Sequence, residues 1–281
     1  MRLASLLITA LLLITALVVC RPLVSTAVGQ ERAITVAVAT SAEETGFFRS
    51  IMDHFEAHSG IRVRLIVNGT SGAIETARQG NADVLFVDDP ISEKAFMDAG
   101  FGRERREVMY NYFVIVGPAS DPADVQNAAS AVDAFRRIAV RKAPFVSRAD
   151  QSSTNLHEKR LWQLAGITSG EPTGSWYREY RSGTVLTLVA SLVTHAYTLI
   201  DKGTWISFRD HGEQRILLER DPLLFNQYSA ILVNPDLRHH TRDDAALALI
   251  NWLTSAAGQR ESAAYKIMGE ALFTPNAKEP L

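Results

Sequence analysis

The spacing of apolar residues switches repeatedly between strand-like and helix-like as the chain proceeds. Ile34 to Val38 reads as a strand, and Phe47, Phe48, Ile51, Met52 and Phe55 recur at helical spacing until Gly60 closes the helix. Ile61 to Val67 is predicted as a second strand, Ile74 to Arg78 as a short helix and Asp83 to Val87 as a third strand. This β-α-β-α-β order predicts an α/β fold with a mostly parallel sheet flanked by helices. Ligands of such sheets lie outside the carboxyl ends of the strands. The turns that leave those ends, Thr40 to Glu44, Asn68 to Gly72 and Asp88 to Pro90, are therefore the first candidates for a site. Ser41 with Glu44 three residues on matches a capping box, and the same helix start suits an oxyanion, so Ser41 carries two compatible readings.

Val108 to Val116 predicts a long strand that ends at Gly117-Pro118, where a polar stretch opens what reads as a second lobe. That lobe is predicted to hold a strand at Pro144 to Val146, a turn from Ser147 to Asn155 and a helix from Leu156 to Ala165. A further helix is expected from Thr184 to Val193 and a strand from Ala196 to Leu199. Around Leu223 to Asn226 the chain crosses back, Ser229 to Val233 rejoins the first sheet, and helices Asp243 to Thr254 and Ala257 to Tyr265 pack on it. The boundaries read as lobe I over 28–116, lobe II over 117–222 and a return to lobe I over 223–281, with a hinged ligand cleft between the lobes.

The N-terminus changes the picture of where this happens. Arg2 followed by an apolar run from Leu3 to Val19 has the order of a secretory signal. Arg21 and Pro22 stop the run short of the roughly 20 residues a membrane helix wants. Ser25-Thr26-Ala27 then predicts cleavage after Ala27, giving a 1–27 signal peptide and a periplasmic protein. Lipidation at Cys20 and an uncleaved anchor are the alternatives. Cys20 is the only cysteine, so the mature chain has no disulfide and no thiol nucleophile. Cleavage removes two of the 29 basic residues and leaves 27 against 31 acidic ones, a balance that points to neither nucleic acid nor an anionic membrane. A monomer is expected.

Several segments carry a resemblance. Asn81-Ala82-Asp83-Val84-Leu85, Met109-Tyr110-Asn111, Phe113 to Pro118, Ala143 to Arg148, Ala196-Tyr197-Thr198-Leu199, Gly203-Thr204, Asp221-Pro222, Phe225-Asn226, Asn251 to Ser255 and Leu272 to Ala277 follow one another as in one known family. The chain resembles the periplasmic tungstate-binding proteins of ABC importers, within the type II periplasmic-binding-protein fold. That resemblance implies a bound oxoanion, tungstate or molybdate, and an ABC permease in the membrane as partner. It implies neither a cofactor nor a metal. By position it assigns the ligand to Thr40, Ser41, Thr70, Ser71, Ser147, Arg148, Ser152 and Thr154, with Asp88, Arg181 and Thr198 as further cleft residues. Arg148 leads this set because a guanidinium offers a planar fork of donors and keeps its charge; a surface Arg paired with Asp150 is the bland alternative.

The departures from the family fall on these loops. Val38-Ala39-Thr40-Ser41 lacks two of the family's hydroxyls, and Gly69-Thr70-Ser71-Gly72 replaces Gly-Thr-Gly-Gln. Asp88-Asp89 stands where the family has His-Ala, Gln151 to Asn155 replaces Asp-Ser-Gly-Thr-His, and Arg181-Ser182-Gly183-Thr184-Val185 replaces a Gly-rich helix start. A carboxylate about 4 Å from a dianion costs about 4 kcal/mol per charge pair at an effective dielectric near 20. If both aspartates point outward, Arg148 and Arg181 leave the cleft positive; if one faces it, bare tungstate is disfavoured and a small organic anion or a zwitterion gains. No Gly-x-Ser-x-Gly elbow, P-loop or dinucleotide fingerprint argues for an enzyme. His54 and His58 lack the frame of a zinc site and read as solvated, as do His239 and His240. A ligand-sensing accessory protein remains the other rival to an importer.

Overall fold

A computed structural model describes residues 32–167, 174–181, 183–237 and 243–278. The expected 1–27 signal, Ser182 and the histidine pair 239–240 lie outside the described residues. In chain order the principal elements are β1 (Ala33–Ala39), α1 (Thr40–Glu43), α2 (Phe47–Ser59), β2 (Arg62–Asn68), α3 (Thr70–Arg78), β3 (Val84–Val87), α4 (Pro90–Asp98) and β4 (Gly102–Pro118). Next come α5 (Ala131–Val140), β5 (Phe145–Ser147), α6 (Ser153–Leu164), β6 (Tyr177–Glu179), α7 (Gly183–Val193), β7 (Thr198–Asp201), α8 (Lys202–Ser207) and β8 (Gln214–Leu218). The described chain closes with β9 (Phe225–Val233), α9 (Asp243–Thr254), α10 (Ala256–Ala264), β10 (Lys266–Ile267), β11 (Glu270–Ala271) and β12 (Thr274–Pro275).

β1 is apolar on both faces because it lies inside the sheet with helices on each side. Its alternate residues Ile34, Val36 and Val38 pack with Phe48, Ile51 and Phe55 of α2 and Leu249 of α9. Ala37 and Ala39, on the opposite face, pack with Ala73 and Ala77 of α3 and Phe96 of α4. β2 and β3 flank β1 in parallel register, as the β-α-β-α-β pattern requires. The returning strand β9 then pairs antiparallel with β3 on one side and β4 on the other. Among the described residues, parallel pairing occurs in β1–β3, between β5 and β6 and at an isolated bridge from Phe145 to Tyr197, while β9 arrives from the far part of the chain in the opposite sense.

β4 is 17 residues long and serves two cores. Its first part pairs with β9 as far as Tyr112, opposite Phe225. From Phe113 onward it pairs with β7 and β8. Val108 and Met109 accordingly belong to the core under α2 and α9. Phe113 and Ile115 belong to a second core with Phe135, Phe145, Trp162 and Tyr197, in which the Phe135 and Trp162 rings lie 4.3 Å apart.

Several elements differ from the sequence expectation for identifiable reasons. β4 begins at Gly102 rather than Val108, since the charged stretch Arg103 to Glu107 is still paired with β9 and Arg105 reaches buried Glu93 at 2.6 Å. α4 replaces a simple turn because Asp89 caps it, accepting from the Ser92 N–H, with Pro90 at the first helical position. The capping box at Ser41 and Glu44 is not formed: Ala39 takes the cap position with no side-chain bond. α6 starts at Ser153, three residues early, with Ser152 as its cap. The strand expected at 196–199 runs instead from Thr198 to Asp201, because the Tyr197 backbone pairs with Pro144 and Val146 rather than with β4; its hydroxyl donates to Asp121 at 2.8 Å and accepts from the Ala123 N–H at 2.7 Å.

Close packing at the junction of α9 and α10 gives a stability test. A Cβ on Gly258 would run into the backbone carbonyl of Trp252, which cannot swing aside as a side chain would. Gly258→Ala is expected to cost about 1–3 kcal/mol, read as a melting temperature several degrees lower by calorimetry. An unchanged transition would show that this junction is looser than described.

Candidate functional site

The three turns at the ends of β1, β2 and β3 converge on the N-terminal turn of α6. Thr70, the first residue of α3, accepts a hydrogen bond on its hydroxyl oxygen from the Ser153 N–H at 2.9 Å. The Ser71 N–H reaches the Gln151 carbonyl at 3.3 Å. Ser41 and Ser153 both donate to one carboxyl oxygen of Asp88, at 2.9 and 2.7 Å. Asn226, at the start of β9, donates to that same oxygen at 3.2 Å. Residues from both cores are thus knitted at one place.

Both aspartates after β3 turn inward, so the reading in which they are solvated loop charges is corrected. Asp88 and Asp89 are each only 2 % exposed. Asp89 forms a two-pronged ion pair with Arg160 of α6, one arm at 2.8 Å, and that pairing holds its carboxyl below the usual carboxylate range despite burial. Asp88 has no such partner. Burial pushes its carboxyl up, and the hydrogen bonds from Ser153, Asn226 and Ser41 offset only part of the rise. Its second oxygen, Oδ1, is buried without a hydrogen-bond partner.

Asp88 continues into a polar chain along the crossing strands. Asn226 also donates to Asn111 at 3.0 Å, and Asn111 donates to Asp201 at 2.7 Å. Asp201 in turn caps α8 through the Gly203 and Thr204 N–H groups. Burial raises Asp201 to about 6, Asn111 opposes the rise and the neighbouring Asp88 adds to it.

Arg148 is 2 % exposed, so the surface alternative for it fails, although its partner is the Asp150 that alternative named. Nε and Nη2 donate to Asp150 at 3.0 and 2.7 Å, and Nη1 donates to Thr184, the second residue of α7. Among the described residues these account for three of the five N–H donors of a guanidinium. One donor on each Nη is left over. The loop that presents this group is held in left-handed backbone at Ala149 and Gln151, with φ of 49° and 61°.

Of the expected ligand set, Ser41, Thr70, Ser71, Ser152 and Asp88 are therefore brought together around the first turn of α6, and Arg148 joins them through Asp150, to which Ser152 also donates at 2.6 Å. Thr154 lies in that same turn, buried, with its hydroxyl unpartnered. The Thr40 side chain is half-buried at the start of α1. Three others are placed elsewhere. The Ser147 hydroxyl donates to Glu158 at 2.7 Å, inside the second core, where burial raises Glu158 to about 7. Thr198 donates to the Val146 carbonyl at 2.8 Å and ties β7 to β5. Arg181 is exposed, 3.9 Å from Glu179, so it does not make the cleft positive. Sequence reasoning missed Ser153, Asn226 as an Asp88 ligand, and Arg160. A carboxylate pair placed directly after a strand was the available signal for a buried basic partner.

Among the described residues no helix is long and apolar enough to cross a membrane, and His54 of the expected solvated pair lies 3.0 Å from Glu261. A family model described as a PBP superfamily domain matches residues 25–257. The tungstate-binding protein TupA of Peptoclostridium acidaminophilum is 36 % identical over 87 % of this chain and 86 % of its own. The solved structure of the tungstate-binding protein TupA of Desulfovibrio alaskensis G20 is 39 % identical, covers 88 % of this chain and all of that one, and superposes with a TM-score of 0.76. The tungstate ABC transporter structure from Geobacter sulfurreducens is 35 % identical, over 84 % of this chain and 99 % of that one, with a TM-score of 0.73. With helices on both faces of its sheet, two cores on one long strand and these relatives, the chain belongs to the periplasmic-binding-protein superfamily and, within it, to the tungstate-binding protein family of ABC importers.

Proposed function

We propose that this chain captures a small oxoanion of the tungstate or molybdate kind outside the cytoplasm and delivers it to a membrane permease. The observation that carries the reading is Arg148: a buried guanidinium, anchored by Asp150 and Thr184, that keeps one N–H on each Nη in reserve. Two parallel donors suit two oxygens of one tetrahedral anion. Thr154, with a buried hydroxyl in want of a partner, and Thr70, whose bond to Ser153 uses a lone pair and leaves its proton, complete a donor set. Lobe I at 28–116 and 223–281 and lobe II at 117–222 would open about β4 and β9 to admit the ligand. Closure then excludes water, and in that drier setting each charge-assisted hydrogen bond strengthens.

A second reading has Asp88 in its favour. A zwitterion could set its ammonium against that carboxyl and its acidic group against Arg148.

A thermal-shift screen of tungstate, molybdate, sulfate, phosphate and small carboxylates separates the two. Tungstate or molybdate at 100 times its Kd is expected to add about 2.7 kcal/mol of stability. Arg148→Lys keeps the charge but loses the fork. Losing one charge-assisted hydrogen bond, about 2 kcal/mol, predicts binding about thirtyfold weaker by calorimetric titration. If no oxoanion shifts the transition, the assignment is lost.

Gly69 supplies a test of closure. Its backbone, φ −56° and ψ 156°, is open to any residue. A Cβ there would stand 3.1 Å from the Asp150 carbonyl oxygen, on the facing side of the site. Gly69→Val is expected to act as a wedge, weakening the bound anion tenfold or more while the ligand-free melting temperature changes little. Parent-like affinity would mean that the turns need not approach this closely.

A further inference from the structure

Asp88 is the one carboxyl that an anion site of this kind should avoid. Its Oδ2 takes three hydrogen bonds, from Ser41 of α1, Ser153 of α6 and Asn226 of β9, which places the group between the turns that hold the proposed ligand. Its Oδ1 is buried without a hydrogen-bond partner, while the Tyr228 hydroxyl, which donates to Asp201 at 3.3 Å, also lies close enough to the Asp88 carboxyl to stabilise its charge. An ionised carboxylate wants donors on both oxygens; a carboxylic acid needs an acceptor for the proton on one of them. The lopsided pattern, three donors on Oδ2 and no hydrogen bond at Oδ1, suits an acid whose proton still needs an acceptor.

The charges around it point the same way. From β7, Asp201 raises the local negative potential, and from α4 so does Glu93, itself pushed up to about 7 by burial. From β9, Tyr228 presents a hydroxyl whose ionisation burial suppresses. The cations in the neighbourhood are engaged: Arg160 by the adjoining Asp89, Arg105 by Glu93 and Arg148 by Asp150. Among the described residues none forms an ion pair with Asp88. A dianion arriving beside an ionised Asp88 would meet a repulsion of the size that erases decades of affinity.

Resting on the oxoanion reading above, we propose that Asp88 takes up a proton as the anion binds and donates it, through Oδ1, to an oxygen of the ligand. The bound complex is then one dianionic oxoanion plus one proton shared across a hydrogen bond. No other bond forms or breaks. Asp88 would select oxoanions whose oxygens are basic enough to accept that bond, which favours tungstate and molybdate over sulfate.

The sign follows from linkage. A group that is ionised in the open, hydrated form and protonated in the complex makes binding proton-coupled, so affinity falls as pH rises, by as much as tenfold per unit. Calorimetric titration of tungstate into the full chain between pH 7 and 9, in two buffers of different ionisation enthalpy, is expected to show that fall with uptake of about one proton. Asp88→Asn supplies an amide donor at any pH. It is expected to bind tungstate at pH 9 about tenfold or more tighter than the parent and to lose the pH dependence. Tungstate binding in the parent that is flat across this range, with no proton uptake, overturns the proposal while leaving the oxoanion reading intact. An Asp88→Asn chain that melts like the parent but binds no anion also overturns it. Failure of every oxoanion, with a zwitterion binding instead, would overturn both. Should the variant fail to fold, the pH series on the parent decides alone.

Discussion

A buried carboxyl without a cation sets the terms for the middle of this molecule. Removing a carboxylate from water is costly unless it is paired or neutralised, and Asp88 is removed almost completely. Four segments distant in sequence meet there because each satisfies part of it: the turn after β1 through Ser41, the end of β3 through Asp88 itself, the first turn of α6 through Ser153, and the crossing strand β9 through Asn226. The network then runs on through Asn111 to Asp201 and the start of α8. What spans the join between the two cores is thus polar, while the cores on either side are aromatic and aliphatic. Apolar packing across that join would fuse the halves; hydrogen bonds that water can replace are what the proposed opening requires.

Charge is distributed around this centre so that each full cation has its own anion within reach. Arg160 crosses to Asp89, Arg148 stays with Asp150 in its own loop, and Arg105 neutralises Glu93 beneath the sheet. The site is accordingly a set of oriented donors whose cations are all paired, with the Asp88 carboxyl left over, not a positive hole. If it binds an anion as proposed, such a site would discriminate by geometry and by the basicity of the ligand's oxygens more than by net attraction.

The fold was largely legible in the sequence. Ile34, Val36 and Val38 on one face of a strand and Ala37 and Ala39 on the other, followed by the helical spacing of Phe47 to Phe55, left few arrangements for the first three strands. α9 was read at its observed bounds, and the return at Leu223 to Asn226 meets the start of β9 at Phe225. The candidate site's residues could be named from the sequence, Arg148 first among them, but not the wiring that the structure gives them. Hydroxyls at Ser41, Ser147 and Ser152 look alike in a sequence; which one meets Asp88, which meets Glu158 and which caps α6 depends on angles that periodicity does not encode. The same holds for Thr198, whose position at the end of a strand resembled a ligand's and whose hydroxyl closes a backbone gap between β5 and β7.

α7 shows why periodicity misleads where function begins. In an ordinary surface helix the aliphatic residues face inward; here Thr184, Thr187 and Ser191 are buried beside Leu188 while Val185, Leu186, Val189 and Val193 are exposed. The inversion is tolerated because each buried hydroxyl is hydrogen-bonded. Thr184 receives Arg148, and Thr187 and Ser191 bond back to the carbonyls of Gly183 and Leu188. Strain accumulates in the partner loop as well, where Ala149 and Gln151 occupy backbone that ordinarily costs of order 1 kcal/mol or more per residue. Asp150 offsets it by holding Arg148 on one oxygen and Ser152 on the other, and Asn155 by accepting from the Gln151 N–H. A helix that buries three hydroxyls beside Leu188 and a loop bent against its preference both hold one guanidinium. Local rules are broken together at the proposed ligand site, because stability and aim make different demands on the same residues.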